Sequence, residues 1–290
     1  MSTTSAKLSA YGAALVLVAG GAWALGTAAG PFPQAEAHSD THDDTHDDTH
    51  EDTHGEAVVD LPGGLASAQD GYTLTPTTTT LTPGVAARFT FRITGPDGAP
   101  VTAFDVEHEK RLHFIVVRRD TAGYQHLHPD LGADGTWTVP LTVADAGSYR
   151  AFADFTPSGA KPLTLGVDLV APGVFQPVEP PETRVADVDG YHVRLDGDLV
   201  AGRASRLTAT VTEDGRAVTD LQPYLGAAGH LVALRGGDLA YLHVHPAGPG
   251  LTFVAEVPSA GTYRLFLDFR HGDVVRTAAF TVTTGTGAPR

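Results

Sequence analysis

Residues 124–129 read YQHLHP, and residues 241–246 read YLHVHP. The two stretches lie 117 positions apart (241 − 124), and the same offset carries His113 onto His230 (230 − 113). A tyrosine, two histidines and a proline thus recur at fixed spacing, with a third histidine at a fixed distance upstream. The recurrence indicates an internal duplication.

A second pair of stretches extends the duplication toward the C-terminus. Residues 147–155 read GSYRAFADF and residues 261–269 read GTYRLFLDF, now 114 positions apart (261 − 147). A loop between the matched segments can absorb the difference of three residues, since loops tolerate insertions. Each copy therefore carries three histidines and one aspartate, Asp154 or Asp268, in corresponding places.

Both copies show the residue pattern of β-strands. Residues 88–94 (RFTFRIT) alternate and are followed by the turn residues GPDG, while residues 206–212 (RLTATVT) are followed by EDG. About seven such runs in about 100 residues are typical of a β-sandwich. The sequence predicts an all-β fold with two tandem immunoglobulin-like or cupredoxin-like β-sandwich domains, after an N-terminal transmembrane helix and a disordered His/Asp-rich tract.

Composition shifts divide the chain into six segments. A stretch with four prolines between Ala171 and Thr183 cannot sustain a strand ladder or a helix and predicts a semi-rigid linker. The predicted segments are a membrane anchor or signal segment at 1–37, a disordered His/Asp-rich tract at 38–68, a first sandwich at 69–171, the Pro-rich linker at 172–183, a second sandwich at 184–284, and a disordered tail at 285–290.

The N-terminal segment predicts where in the cell the protein is located. Residues 8–29 are almost entirely apolar over 22 positions, enough to cross a bilayer core of about 30 Å. Lys7 before this run and the acidic tract after it place the following domains on the extracytoplasmic side. The length favours a single-pass anchor in the cell membrane. The alternative is a signal peptide cut after Ala37, which would release a secreted protein.

Composition limits the chemistry. The chain of 290 residues has no cysteine, and its one methionine is Met1, so disulfides, thiolate sites and a blue-copper centre are excluded. Nitrogen and oxygen ligands suit Zn²⁺, Cu²⁺ or Ni²⁺ better than Cu⁺. The net charge of −15 argues against nucleic-acid binding, which requires a positively charged surface.

A histidine-rich tract separates the membrane segment from the domains. Histidine recurs every fourth residue in HSDTHDDTHDDTHEDTH, at positions His38, His42, His46, His50 and His54. Its acidic character and lack of apolar residues predict disorder. One interpretation is a solvated spacer. The other is a loose metal-collecting arm, because histidine-rich tracts bind divalent cations.

The repeated histidines predict a metal site in each domain. Side chains at i and i+2 on a strand share a face, so the two histidines of each HxHP element point the same way. Three imidazoles and one carboxylate would form a four-coordinate site without sulfur. The predicted ligands are His113, His126, His128 and Asp154 in the first copy and His230, His243, His245 and Asp268 in the second. The alternative is that these residues are hydrogen-bonded core residues.

Four other positions receive weaker predictions. His108 and Glu109 precede His113 in a pattern that resembles a zincin motif, but the histidines are five apart and cannot share a helix face as HExxH requires. Either residue could still add a ligand to the first site. His192 and His271 have no counterparts in the other copy and are predicted to be surface residues.

Several of these motifs resemble a known family. HEK at 108–110 with Leu112-His113, the YQHLHP element and FADF at 152–155 resemble the bacterial secreted YtkA-like family. PYLGA at 223–227, GHLV at 229–232 and HVHP at 243–246 are similar to its duplicated form, described as a heavy-metal-binding domain. The resemblance covers roughly residues 72–282. It implies β-sandwich modules outside the membrane and a link to metal, mainly copper, handling.

The sequence as a whole predicts a membrane-anchored, extracytoplasmic metal-binding protein that holds Cu²⁺ or Zn²⁺ in resistance, buffering or delivery. Its partners would be metal ions, the membrane, and a metal transporter or chaperone whose identity the sequence does not give. It is not predicted to be an enzyme. Two alternatives stay open: a structural or adhesion module with core histidines, and a metal-dependent enzyme of the superoxide-dismutase-like or hydrolytic type.

Overall fold

The computed structural model describes residues 62–242 and 244–284. These ranges contain strands, turns and loops, and they hold no helix. Nothing in the described part of the chain is a helix long and apolar enough to span a membrane. The predicted membrane segment, the histidine tract, His243 and the C-terminal tail lie outside the described residues.

The first domain is a sandwich of two antiparallel sheets. One sheet has the strand order β1-β2-β3-β7-β6 and the other β5-β4-β8-β9. The strands are β1 (Ala68–Gln69), β2 (Tyr72–Pro76), β3 (Ala87–Thr94), β4 (Leu112–Arg118), β5 (Gln125–Leu127), β6 (Asp130–Leu131), β7 (Thr136–Leu141), β8 (Gly147–Phe155) and β9 (Leu163–Ala171).

The second domain repeats this arrangement. One sheet has the order β10-β11-β12-β17-β16, with β13 beside β12, and the other β15-β14-β18-β19. The strands are β10 (Val185–Val188), β11 (Tyr191–Asp196), β12 (Ala204–Glu213), β13 (Arg216–Ala217), β14 (Gly229–Arg235), β15 (Tyr241–Leu242), β16 (Val244–Pro246), β17 (Thr252–Glu256), β18 (Thr262–His271) and β19 (Val274–Thr283).

Alternation along the strands builds a core inside each sandwich. On β3, Phe89, Phe91 and Ile93 are buried while their neighbours face outward. Phe91 stacks on Phe114 of the opposite sheet, with ring centroids 4.8 Å apart. Side chains at alternate positions share one face of a strand, so one apolar face per sheet suffices to close the core. The predicted all-β fold with two tandem immunoglobulin-like sandwiches is confirmed.

A third core lies between the two domains, because β4 and β14 are buried on both faces. Phe114 and Val116 of β4 face their own sandwich, whereas Ile115 and Val117 face the other domain. The β5-β4-β8-β9 sheet therefore packs against the β15-β14-β18-β19 sheet. The buried residues of this interdomain core are Ile115, Val117, Phe152, Val232, Leu234, Leu239, Tyr241 and Phe266.

The two domains exchange equivalent contacts across this interface. Tyr124 of the first domain stacks on Phe266 of the second, with centroids 3.9 Å apart and an interplanar angle of 6°. Tyr241 of the second domain lies against Phe152 of the first at 5.7 Å. Reciprocal contacts between equivalent residues are the mark of an interface with approximate twofold symmetry.

Residues 62–68 are bound to the first domain by hydrogen bonds. The Gly64 amide donates to the Thr164 carbonyl at 2.7 Å, and the Arg150 guanidinium donates to the Gly64 carbonyl at 2.6 Å. A Cβ at Gly166 would come within 2.1 Å of the Gly64 oxygen, so this close approach requires glycine. The prediction of disorder up to residue 68 is therefore wrong for residues 62–68, whose backbone bonds to β9 and to Arg150.

Truncating Phe266 is expected to weaken the interdomain core. Phe266 is 2% exposed and stacks on Tyr124, so Phe266→Ala should lower the free energy of unfolding by about 3–5 kcal/mol. Urea unfolding followed by circular dichroism measures this change. Val274→Ala is the control, because Val274 is 47% exposed and should change stability by about 0.5 kcal/mol or less. Equal effects of the two substitutions would show that the domain contact contributes little.

Candidate metal centre

Strand pairing places three histidines of the first domain on the interdomain face. In the β4–β5 pair, Ile115 lies opposite His126. His113 therefore shares a face with Ile115, and His128 shares one with His126, because the side-chain period of a strand is two. The HxHP element and His113 thus meet where the apolar interdomain core ends.

The second domain supplies an equivalent pair. His230 on β14 lies directly opposite Asp268 on β18, as His113 on β4 lies opposite Asp154 on β8. Residues directly opposite on antiparallel strands have Cβ atoms about 4.5–5.5 Å apart. Because the two sheets pack face to face, the polar ends of both faces come together.

The result is one cluster with members from both domains, here called the histidine centre: His113, His126, His128, His230 and Asp268. His113 Nδ1 lies 3.0 Å from His126 Nε2, and His126 Nδ1 lies 2.7 Å from Asp268 Oδ2. The His113 and His230 rings are parallel, 5.3 Å apart, and the His128 ring is 4.8 Å from that of His126. Two triads here can hold an ion, one formed by His113, His126 and His128 and one by His126, His230 and Asp268.

The ring nitrogens of His113 and His126 are close to each other and to two acceptors. His113 Nε2 is 3.2 Å from the Glu107 carbonyl, which can only accept. His126 Nδ1 faces the Asp268 carboxylate, which also accepts. The inner nitrogens, His113 Nδ1 and His126 Nε2, lie 3.0 Å apart. When both rings donate from their outer nitrogens, the inner nitrogens both present lone pairs, which a metal ion can bind. When His113 carries its proton on Nδ1, it donates that proton to His126 Nε2.

Burial keeps other imidazoles of the centre neutral. Desolvation, with a smaller contribution from His126, lowers the pKa of His113 to about 4 and that of His128 to about 3. Burial also lowers the pKa of His230 well below its ordinary value. His128 Nε2 and His230 Nδ1 are buried without a hydrogen-bond partner among the described residues. Neutral imidazoles with free lone pairs are what a metal ion requires.

The structure changes the predicted grouping of the ligands. Asp154 was predicted to complete the site of His113, His126 and His128, but the carboxylate bonded to His126 is Asp268 of the other domain. Asp154 accepts hydrogen bonds from Thr164 at 2.9 Å and from the Tyr241 hydroxyl at 3.3 Å. Of the repeated residues that the structure describes, three from the first domain and two from the second therefore form one centre. The reason is the sheet-to-sheet packing.

Only some of the predicted second-domain ligands belong to the histidine centre. His230 and Asp268 belong to the histidine centre, whereas His245 is exposed. His245 lines a cavity of about 110 Å³ together with His113, His230 and Asp154. His243 lies outside the described residues. Two residues that line this cavity, His113 and His230, belong to the histidine centre.

His108 joins the cluster through a strained turn. His108 and Glu109 have φ values of 47° and 64° and occupy the two central positions of a hairpin closed by Glu107 and Lys110. Two positive φ values are typical of a type I′ turn. The turn brings the His108 ring to 5.5 Å from that of His230. The first copy thus places a further imidazole beside the centre. The position of His108 is occupied by Leu225 in the second copy.

The two unmatched histidines lie elsewhere. His192 is exposed on β11 and bonds Asp187 at 2.8 Å, so its prediction as a surface residue is confirmed. His271 is only half-buried, and its Nδ1 lies 2.7 Å from the Tyr191 hydroxyl. The prediction for His271 is therefore wrong in part, since its ring packs at 5.6 Å from that of Tyr191.

Comparison with family models identifies the repeated unit. Residues 66–168 and 186–286 each match the family described as "Domain of unknown function (DUF8832)". The matches span well over half of the chain, which therefore belongs to this family and contains two copies of its domain. Comparison with curated proteins gave no match. The resemblance to the YtkA-like family stays a prediction.

Solved structures similar to this chain are β-sandwich arrays at low identity. The Escherichia coli adhesin FdeC is 14% identical with a TM-score of 0.25, over 75% of this chain and 65% of that chain. InvD of Yersinia pseudotuberculosis is 17% identical with a TM-score of 0.25, over 76% of this chain and 59% of that chain. The Ig1-2 module of the Drosophila receptor tyrosine phosphatase DLAR is 8% identical with a TM-score of 0.22, over 74% and 99%. At these scores the likeness carries no inference about function.

Proposed function

We propose that this two-domain member of the DUF8832 family binds Cu²⁺ or Zn²⁺ at the histidine centre. The observation that carries the proposal is the 3.0 Å approach of His113 Nδ1 and His126 Nε2, each on a ring whose outer nitrogen faces an acceptor. A pair of imidazole nitrogens at this distance is a binding site for a borderline metal ion.

The spacing suits a metal ion as well as a proton. Two ligand nitrogens of a tetrahedral Zn²⁺ ion lie about 3.3 Å apart, since each Zn–N bond is about 2.0–2.1 Å. His113 and His126 need only a small outward shift to reach that spacing. His128 Nε2, which is buried and unpartnered among the described residues, supplies a third ligand.

Asp268 orients the central ligand. A ligating histidine ordinarily donates its other ring N–H to a carboxylate or a carbonyl, which fixes the ring and raises its basicity. His126 donates to Asp268 and His113 to the Glu107 carbonyl. Thr277 in turn holds Asp268 Oδ1 at 2.5 Å. Because Asp268 belongs to the second domain, a metal on His126 depends on both domains.

This arrangement supports a role in metal resistance, buffering or delivery outside the cytoplasm. The tract at 38–54 would collect ions loosely, and the histidine centre would hold them in defined geometry. The protein would be anchored by residues 8–29 or released by cleavage after Ala37. N-terminal sequencing of the mature chain distinguishes the two, because a start at His38 requires cleavage.

A structural or adhesion module with core histidines is the second candidate. One observation favours it: His113 and His126 have all four ring nitrogens in hydrogen bonds, which a purely structural role would also require. Under this alternative a proton always occupies the position between the two rings, and metal ions bind only the tract.

Calorimetric titration separates the two candidates. Both sandwiches lie within the described residues 62–284, so protein lacking residues 1–57 tests the centre without the tract. We expect a Zn²⁺ or Cu²⁺ site whose Kd rises at least about 10-fold in His126→Ala. His192→Ala is the matched control, since His192 is exposed and remote. Identical titrations of His126→Ala and the parent would exclude the proposed site.

The tract should affect metal capacity but leave apo stability unchanged. Replacing His38, His42, His46, His50 and His54 with Ala should lower the number of ions bound by the full chain. The melting temperature of the apo-protein should change by less than about 1 °C, because an acidic tract without apolar residues buries little surface. Metal analysis after dialysis and a thermal scan measure the two quantities. A large fall in the apo melting temperature would show that the tract packs on a domain.

A further inference from the structure

We infer that the histidine centre holds two metal ions, with the His126 ring as the bridge between them. This inference rests on the proposed function and adds a second ion to it. Its starting observation is that His126 is the one residue shared by the two candidate triads among the described residues.

His113 and Asp268 approach opposite nitrogens of His126. His113 Nδ1 lies 3.0 Å from Nε2, whereas Asp268 Oδ2 lies 2.7 Å from Nδ1. An ion on the first side would take His113, His126 Nε2 and His128. An ion on the second side would take His126 Nδ1, His230 and Asp268. The two positions are thus on either side of the ring and do not compete.

The second position has the properties of a built site. Asp268 is 1% exposed and His230 is 8% exposed, and the two lie directly opposite on β18 and β14. Thr277 donates to Asp268 Oδ1 at 2.5 Å, which leaves Oδ2 for the ion. His230 Nδ1 is buried and has no hydrogen-bond partner among the described residues. A lone pair that is buried without a partner costs free energy unless something binds it.

Both ring nitrogens of His126 are ligands when both ions are present, and the protons that they carried leave to solvent. The ring then carries a single negative charge as imidazolate, and Asp268 carries another. Two divalent ions would lie about 6 Å apart, given metal–nitrogen bonds of about 2.0 Å on opposite corners of the ring. Each would keep an open coordination position, which the cavity beside His113 and His230 can fill with water.

The number of ions lost by substitution tests this arrangement. Protein lacking residues 1–57 would be saturated with Cu²⁺, and bound copper would be counted after removal of the excess. We expect Asp268→Asn to bind one ion fewer than the parent and His126→Ala to bind two fewer. His271→Ala, a histidine substitution outside the centre, should lose none.

Electron paramagnetic resonance provides a second measurement that needs only the parent protein. Two Cu²⁺ ions joined through an imidazolate couple their spins, so the integrated signal at low temperature should fall below that of the same amount of free Cu²⁺. Loading Zn²⁺ first into one of the two positions should restore a full signal for the remaining copper.

The possible results distinguish the single metal site from the second, bridged ion. Loss of one ion in His126→Ala and none in Asp268→Asn, with an uncoupled copper signal, would overturn the second ion and leave the single site intact. Loss of no ion in either variant would overturn both. A full uncoupled signal from the saturated parent would also reject the bridge, whatever the variants show.

Discussion

His230→Ala, in the second domain, is expected to reduce the metal-induced rise in melting temperature, and His126→Ala, in the first, is expected to abolish it. The two residues belong to one centre, with ring centroids 4.9 Å apart. Metal at 100 times its Kd stabilises the folded state by about 2.7 kcal/mol. For a chain of this size that corresponds to roughly 5–10 °C. Differential scanning calorimetry with and without Zn²⁺, on protein lacking residues 1–57, measures the shift.

The control for this experiment is a histidine outside the centre. His271→Ala removes a ring that bonds Tyr191, so we expect it to lower the apo melting temperature and to keep the full metal-induced shift. Two independent sites, as the duplicated sequence predicts, would give another pattern. Each substitution would then remove the metal-induced shift of its own domain, and the other domain would still unfold at a higher temperature with metal. That result would contradict a shared centre.

Acid is expected to destabilise the apo-protein well above the pH at which carboxylates titrate. His113 is 4% exposed, and burial lowers its pKa to about 4 from an ordinary value of 6.5. Between these two values the unfolded chain binds more protons than the folded one, so stability falls as pH falls. From pH 7 to pH 5 this single residue accounts for about 2 kcal/mol, at 1.36 kcal/mol per pKa unit. His128 and His230, with lowered pKa values, act in the same direction.

Urea unfolding of the metal-free protein at pH 7, 6 and 5 measures this loss. His113→Gln provides the comparison, because glutamine keeps a hydrogen-bonding side chain but cannot be protonated in this range. The variant should lose about 2 kcal/mol less than the parent between pH 7 and pH 5. Equal losses of stability in the two proteins would show that His113 is not held neutral. A free energy of unfolding that rises toward pH 5 would contradict the expected pH dependence.

Much of the fold could be predicted from the sequence, because one face of most strands is buried and alternation reveals it. The run RFTFRIT at 88–94 became β3 within one residue at its start. The duplicated motifs also predicted two similar domains. The order of residues 62–68 was missed, since their contacts are backbone hydrogen bonds and an arginine from a distant strand.

The shared centre could not be derived from the duplication. A repeated set of ligands is equally consistent with one site inside each domain and with sites built across a twofold interface. Only the packing of the two sheets decides which carboxylate reaches His126. One signal did bear on this: residues 112–118 (LHFIVVR) and 229–235 (GHLVALR) are continuous apolar runs without alternation. Such runs are typical of strands buried on both faces, and here the second face is the other domain.

The most direct test of a metal centre shared by both domains is a crystal structure of Zn²⁺-loaded protein, with an anomalous difference map at the zinc edge. The account predicts a peak within about 2.0–2.1 Å of both His113 Nδ1 and His126 Nε2, with Asp268 of the second domain still beside the His126 ring. A protein that crystallises in Zn²⁺ with no peak at this position, and with the two nitrogens still 3.0 Å apart, would contradict it.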